Sequence, residues 1–527
     1  MVDYLIVGGG SAGCVLAARL SEDPDVTVHL IEAGPRDRNL FIHLPAGFSR
    51  MTSGPLLWGF RTSPDEKTGN RELVYPQGRV LGGGGSINAQ VYTRGNRRDY
   101  DDWRDLEGCE GWGFDDVLPY FRKAETNDIF GGPYHGNDGP LGVSLQTPHP
   151  LTRAFVRAAQ DAGLPFRADF NADVQEGVGF YQTTTRRGRR CSTAVGYLRP
   201  ARRRPNLTVS ADVFVRRIVV ENGTAVGVEI SENGQSRILR ANREVILTAG
   251  AIGSPKLLML SGIGPADHLR QLGITPIHDV PAIGTNLQDH AAVDVIGELR
   301  GAFGIDRYKK RRWQAAAGIE YLLFGKGPVA SNIVEAGGFW WGDRSEADPD
   351  LQMHFLPGAG VEEGIGSVPG GNGCTLNSYH LRPRSRGSVR LRSADPTETP
   401  IIALNTFGDD YDLDRAVDGI RMSQEILSNP SFAPFLRQIH LPPASVRSDA
   451  EYRAFARQHA RTSYHPVGTC RMGGGADTVV DAALRLRGIA RLRVCDSSVM
   501  PRLVSANTNA ATIMIAERAA DILKGRL

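Results

Sequence analysis

The first residues with the types and spacing for chemistry stand at the start of the chain. Gly8-Gly9-Gly10-Ser11-Ala12-Gly13 follows directly on the apolar run Tyr4-Leu5-Ile6-Val7. Gly8, Gly10 and Gly13 have the G-x-G-x-x-G spacing, which lets backbone turn tightly, approach a pyrophosphate and pack a helix on a strand. Glu32 closes the next strand-like run, Val26 to Ile31, where a carboxylate binds ribose hydroxyls. Strand, glycines, helix, strand and acid in this order point to an adenine dinucleotide with its diphosphate at a helix N-terminus. They do not separate NAD from FAD. A second run, Gly82-Gly83-Gly84-Gly85, lies between the apolar residues Val80-Leu81 and Ile87. Four glycines make a poor helix or strand interior, and their bare amides suit an anion. Proton transfer near neutral pH calls for an imidazole, but the chain has 12 histidines and residue type alone selects none.

The elements that must position these groups are of α/β type, with a Rossmann-like start. Residues 206–230 alternate apolar and polar, with Asn222-Gly223 as a hairpin turn. Residues 244–250 read as a buried strand, and Gly253-Ser254-Pro255 opens a helix with Pro255 in its first turn. The stretch 300–450 lacks the strand–glycine–helix pattern and reads as a second domain of antiparallel sheet and helices lying over the cofactor. The end returns to α/β character, with a strand at Leu492–Asp496 and an amphipathic helix from Thr508 to Leu523. The expected division is a discontinuous dinucleotide domain of 1–155, 200–300 and 455–527, and a substrate domain of 156–199 and 301–454.

Bulk properties narrow the function. The 527 residues exceed one small core, and a net charge of +3 from mixed charges argues against a nucleic-acid partner. The clusters Arg186-Arg187-Gly188-Arg189-Arg190, Arg202-Arg203-Arg204 and Lys309-Lys310-Arg311-Arg312 read as solvated loop charge, with an acidic partner or membrane surface as the alternative. The 6 cysteines form no C-x-x-C pair and no metal-ligand spacing, so reduced thiols and no metal are expected. The first strand starts too early to leave room for a signal peptide, and no spanning run of about 18 apolar residues exists. A cytoplasmic protein is expected, with peripheral contact at the inner membrane face left open.

Several longer motifs resemble the glucose–methanol–choline (GMC) family of FAD-dependent oxidoreductases. They are Gly78 to Asn88, Gly250 to Gly264, Gly284 to His290, Tyr464 to Thr469, Asp496 to Pro501 and Asn507 to Asn509. The resemblance spans nearly the whole chain, and it implies FAD rather than NAD. It places Ser11 and Ala12 on the pyrophosphate, Glu32 and Ala33 at the adenosine ribose, and the Val215 backbone at the adenine. Gly84, Asn88, Ala89, Gln90 and Val91 then run along the phosphates and flavin ring, with Asp496 and Thr508 also at the cofactor. Ile87 stands where some members carry a histidine that attaches FAD covalently, so a non-covalent FAD is expected. Tyr464 either lines the flavin face or packs as an ordinary aromatic.

The implied activity is oxidation of an alcohol, a primary one by preference, to an aldehyde. The resemblance makes His465 the base and Asn507 its partner at the substrate oxygen. Asn507 also reads as the cap of the last helix. His290 reads as a supporting or structural residue, and His459 as a candidate wall of the substrate cavity. The run Tyr464 to Gly473 is similar to bacterial alcohol and choline-type dehydrogenases, implying a quinone-type acceptor, with O2 and peroxide release as the alternative. A lyase holding FAD as structure also stays open. Leu381 stands where the light-driven decarboxylase branch carries a cysteine, which argues against that chemistry.

Overall fold

The computed structural model describes residues 1–232 and 234–527. Its first sheet carries the parallel strands Leu207–Ser210, Val28–Ile31, Val2–Val7, Gln235–Leu247 and Leu492–Val494, neighbours in that order. Leu5, Ile6, Leu30, Val245 and Ile246 are buried, as expected where helices cover both faces of a parallel sheet. Burial of each such side chain contributes about 1.5–3 kcal/mol. The strand Gln235–Leu247 does double duty. Its second half pairs in parallel with Val2–Val7, and its first half pairs antiparallel with Thr224–Glu232. That strand turns through Asn222 (φ 49°) and Gly223 (φ 73°) into Phe214–Glu221, the hairpin that Asn-Gly foretells.

Two helices differ from expectation. The one carrying Pro255 begins at Gly250 and ends at Leu260, so the proline is interior rather than in the first turn. Proline removes the N–H that would bond the Ala251 carbonyl. The Thr469 hydroxyl donates to that carbonyl at 2.6 Å and fills the vacancy from a distant segment. The last helix, Thr508–Leu523, has the expected ends but is buried around most of its circumference, between Ser11–Leu20 and Phe114–Ala124. Its buried Glu517 is paired with Arg19 at 2.7 Å and accepts from the Tyr197 hydroxyl at 2.8 Å. The second glycine run also differs in part: Gly84–Ile87 forms a single helical turn after Gly82 (φ 89°) and Gly83 (φ 50°).

The second sheet is antiparallel, in the order Leu436–Leu441, Ala291–Leu299, Gly373–His380, Leu351–Leu356, Ala336–Trp340, Gly177–Phe180. Arg461–Thr462 pairs with the start of Ala291–Leu299. Thus 291–299 and 461–462, expected with the dinucleotide domain, are strands of the second sheet. Leu351, Met353, Phe355, Cys374 and Leu376 are buried; Met353, Phe355, Cys374 and Leu376 join one core with residues of the helices Pro150–Asp161, Asp410–Ser428 and Asp449–His459. By the two-residue alternation of a strand, Gln352, His354, Asn377 and Tyr379 face the other way, toward the first domain.

Candidate active site

One cavity of about 340 Å³ runs between the two sheets. At one end it is bordered by Glu32, Ala33 and Val215, and at the other by His465 and Asn507. Between them lie Gly8, Gly10, Ser11, Ala12, Gly84, Asn88, Ala89, Gln90 and Val91, then Tyr464, Asp496 and Thr508. Of the catalytic and cofactor-binding residues expected from the sequence, Gly13 alone is absent from the wall. It packs helix on strand: a Cβ there would stand 2.0 Å from the Gly8 carbonyl oxygen.

One end of the cavity is built around Glu32. Its carboxylate accepts from the Gly9 and Gly34 amides, each at 2.7 Å, which ties the strand end to the glycine turn. Burial raises its pKa, and the two amides oppose that rise. The glycine runs then meet backbone to backbone, since a Cβ on Gly83 would stand 2.7 Å from the Gly10 Cα. In contrast, a Cβ on Gly10 would meet only the Thr248 carbonyl at 3.8 Å, and one on Gly84 nothing within 4 Å. Their bareness serves whatever fills the cavity rather than the protein's own packing.

The N-termini of Ser11–Leu20 and Thr508–Leu523 open onto this space without a side-chain cap. Their uncommitted amides and dipoles favour anionic groups. The Asn509 amide donates to the Ser11 hydroxyl at 2.8 Å and couples the two ends. Asp496 differs from a free ligand: its carboxylate accepts from the Gly250 amide (2.9 Å), the Ser254 hydroxyl (2.6 Å) and the Ser498 amide (2.8 Å). It braces the loop beneath the cavity.

Asn507 occupies the cap position of the last helix but does not cap it. Its side chain turns to His465 instead. The Thr93 hydroxyl (3.1 Å) and the Gln352 amide (3.2 Å) both donate to Asn507 Oδ1. This leaves Nδ2 to face His465 Nε2 at 3.1 Å. On the far side of the ring, His465 Nδ1 lies 3.0 Å from His290 Nδ1, and His290 Nε2 lies 3.1 Å from the Leu381 carbonyl. A carbonyl only accepts, so His290 carries its proton on Nε2 and accepts at Nδ1. His465 therefore carries its proton on Nδ1 and presents a lone pair at Nε2. The Asn507 orientation, fixed separately by Thr93 and Gln352, requires the same tautomer.

Burial, with the nearby Arg461 charge, lowers the His465 pKa to about 3, and burial pushes His290 well below its usual value. Both rings are neutral near pH 7. Asp289 holds their backbones, accepting from the His290 (2.8 Å) and His465 (2.9 Å) amides, and burial raises its pKa to about 6. Tyr464 sits at φ 65°, an uncommon conformation for a non-glycine residue, in the cavity wall beside His465. His459 stands elsewhere: its ring stacks on Phe455 at 4.2 Å rather than bordering the cavity, because its helix carries it away.

Sequence reading missed Thr93, Gln352, His354, Asn377, Glu362 and Arg461. The alternation Gln352-x-His354-x-Leu356 was a usable signal for polar groups on one strand face; Thr93 carried none. Arg461, bordering the cavity, is held by Asp294 at 3.0 Å and reaches Glu362 at 3.4 Å.

Known proteins agree with this architecture. Residues 2–292 and 383–516 match the GMC oxidoreductase family's N- and C-terminal profiles. The chain is 42% identical, over 99% of its length and 96% of the relative's, to an alcohol dehydrogenase [acceptor] of Pseudomonas putida. It is 43% identical to oxygen-dependent choline dehydrogenase 1 of Chromohalobacter salexigens, covering 99% of this chain and 95% of that one. A formate oxidase from Aspergillus oryzae, solved in a study of FAD modification, superposes with a TM-score of 0.92 at 28% identity, over 100% of this chain and 98% of the other. FAD is the cofactor: the cavity with its bare glycines fits a dinucleotide, and FAD is named for the formate oxidase of the same fold. The chain belongs to the GMC oxidoreductase family.

Proposed function

We propose that the chain oxidises an uncharged primary alcohol to its aldehyde with His465 as base, passing the electrons to a quinone-type acceptor. The observation that carries this is the neutral His465, with its Nε2 lone pair held toward Asn507 in the cavity. Gly10, Ser11 and Ala12 would hold the FAD pyrophosphate, Glu32 and Ala33 the ribose, and Val215 the adenine. Asn88 to Val91, Tyr464 and Thr508 would border the flavin, with FAD bound non-covalently because Ile87 offers no nucleophile. Bound there, FAD supplies the hydride acceptor.

The chain's own residues do the rest. An alcohol hydroxyl placed between His465 Nε2 and Asn507 Nδ2 loses its proton to the imidazole while the amide steadies the developing negative oxygen. The resulting imidazolium keeps its Nδ1–H bonded to His290. Deep burial excludes water and shields the proton transfer.

The reading favours neutral alcohols over choline. Among the described residues at this end of the cavity, Glu362 is paired with Arg461 at 3.4 Å, as is Asp294 behind it at 3.0 Å, so both carboxylates already face a cation. The test is anaerobic bleaching of the flavin by a panel of neutral primary alcohols and choline. Fast bleaching by the neutral alcohols is expected. No bleaching by any alcohol sinks the oxidation reading and leaves the lyase; choline as the fastest donor sinks the substrate class. Rapid stoichiometric peroxide under air replaces the quinone-type acceptor by O2.

A further inference from the structure

A surface helix normally turns its apolar residues inward. The helix Arg311–Phe324 does the reverse. Leu322 is 84% exposed, Leu323 and Phe324 are each 69% exposed and Ile319 is 59% exposed, while Ala317 is its buried residue. At about 100° per residue, Ala315, Ile319, Leu322 and Leu323 share one outward face. Scattered exposed leucines are ordinary, but a contiguous apolar face on one helix marks an interaction surface.

The rim of that face is basic. Exposed Lys309, Lys310, Arg311 and Arg312 precede or open the helix, and exposed Lys326 follows it. Exposed Arg187 and Arg189 flank Gly188, whose carbonyl accepts from the Tyr321 hydroxyl at 3.1 Å. The acids of this stretch are few: Asp306 is buried and paired with Lys309 at 2.7 Å, leaving Glu320 on the helix. A second copy of the chain packed face to face would set this basic rim against itself. A surface of anionic lipid head groups over an apolar interior matches both the sign of the rim and the character of the face.

We propose that this helix docks the protein on an anionic lipid bilayer, lying in the interface plane. Ile319, Leu322 and Leu323 enter the acyl boundary, and the lysines and arginines meet the head-group phosphates. Among the described residues no helix is long and apolar enough to cross a membrane, so the attachment is peripheral. The docked side adjoins the cavity. The Ala46 amide donates to the Val329 carbonyl at 3.2 Å just past the helix, and Phe48, Met51 and Thr52 from the same segment border the cavity. Exposed Leu40 and Phe41 lie on the preceding turn.

The test is co-sedimentation of the FAD-loaded protein with vesicles of phosphatidylglycerol and phosphatidylcholine, or of phosphatidylcholine alone, at low and high salt. Binding to the anionic vesicles is expected, weakened by salt. Lys310→Glu with Arg311→Glu should weaken it at least 25-fold, at about fivefold per lost charge. Leu322→Glu with Leu323→Glu should weaken it at least tenfold while alcohol turnover in free solution is unchanged, which shows that the fold is intact. Equal binding by the leucine variant, or no binding to anionic vesicles at low salt, overturns the proposal. A dimer in light scattering that the leucine variant converts to monomer, without vesicle binding, assigns the face to self-association and overturns it too.

Discussion

His465 Nδ1 stands 3.0 Å from His290 Nδ1, with the Leu381 carbonyl 3.1 Å beyond His290 Nε2. A backbone carbonyl thereby sets the tautomer of His465 two hydrogen bonds away through a second ring. Asn507, oriented by Thr93 and Gln352, demands the same tautomer from the opposite side. Two independent constraints, one at each ring nitrogen, select the same tautomer of His465.

In the proposed mechanism His290 is a positioning residue. His290→Ala should lower the rate of flavin reduction about 10–100-fold with little change in KM, because His465 loses the partner of its Nδ1–H. His290→Gln retains an acceptor for that N–H and a donor for the Leu381 carbonyl, and should recover most of the rate. Equal damage from both variants would mean that the ring is needed only as packing.

His465→Ala should keep bound yellow FAD and lose about 10²–10⁴ of turnover. Asn507→Ala should lose turnover too, and leave the stability of the last helix nearly unchanged, since the Asn507 side chain makes no capping bond there. Near-normal alcohol oxidation by His465→Ala removes it as the base; a large fall in thermal midpoint for Asn507→Ala restores the capping role.

The two glycines of the fingerprint should separate binding from folding. Gly10→Val should fold and fail to hold FAD, because the nearest protein atom to a Cβ there is 3.8 Å away and the space belongs to the ligand. Gly13→Ala should fail to fold stably, with its Cβ 2.0 Å from the Gly8 carbonyl. Flavin absorbance and circular dichroism of both variants decide this; a fully loaded Gly10→Val contradicts the pyrophosphate assignment.

Stability should fall on acidification. Burial holds His465 and His354 to a pKa of about 3, while in the unfolded chain each takes a proton near its ordinary value of 6.5. Their contribution is complete above that value and is lost as pH falls toward 3, at about 1.4 kcal/mol per pH unit for each ring. Asp289 works in the opposite direction, because its raised pKa of about 6 makes the folded chain take up a proton as pH drops through that value. Denaturant unfolding between pH 7 and 5 should show the net loss, and His354→Gln should flatten the slope by about one such increment. An unchanged slope for His354→Gln excludes its buried neutral state.

Local signals were legible because they are contiguous. Gly8 to Gly13 with Glu32, the Asn222-Gly223 hairpin and the ends of the last helix follow from backbone geometry at a few neighbouring residues. The family motifs carried His465 and Asn507 for the same reason. Pro255 misled because proline ordinarily starts a helix, and its interior place depends on Thr469, more than two hundred positions away. Asn507 looked like a cap because its position is one; only the folded neighbours Thr93, Gln352 and His465 draw its side chain off the helix.

By itself, then, the sequence determined the family and the cofactor, and it singled out Glu32 and His465, which the fold sets in the wall of one cavity. The tertiary structure decided the state of His465. Tautomer, charge and solvent exclusion at His465 arise from His290, Leu381, Asp289, Thr93, Gln352 and Arg461, supplied by two sheets and several loops. Such groups interact through space over a few ångströms inside a low-dielectric interior, and no spacing along the chain encodes that proximity.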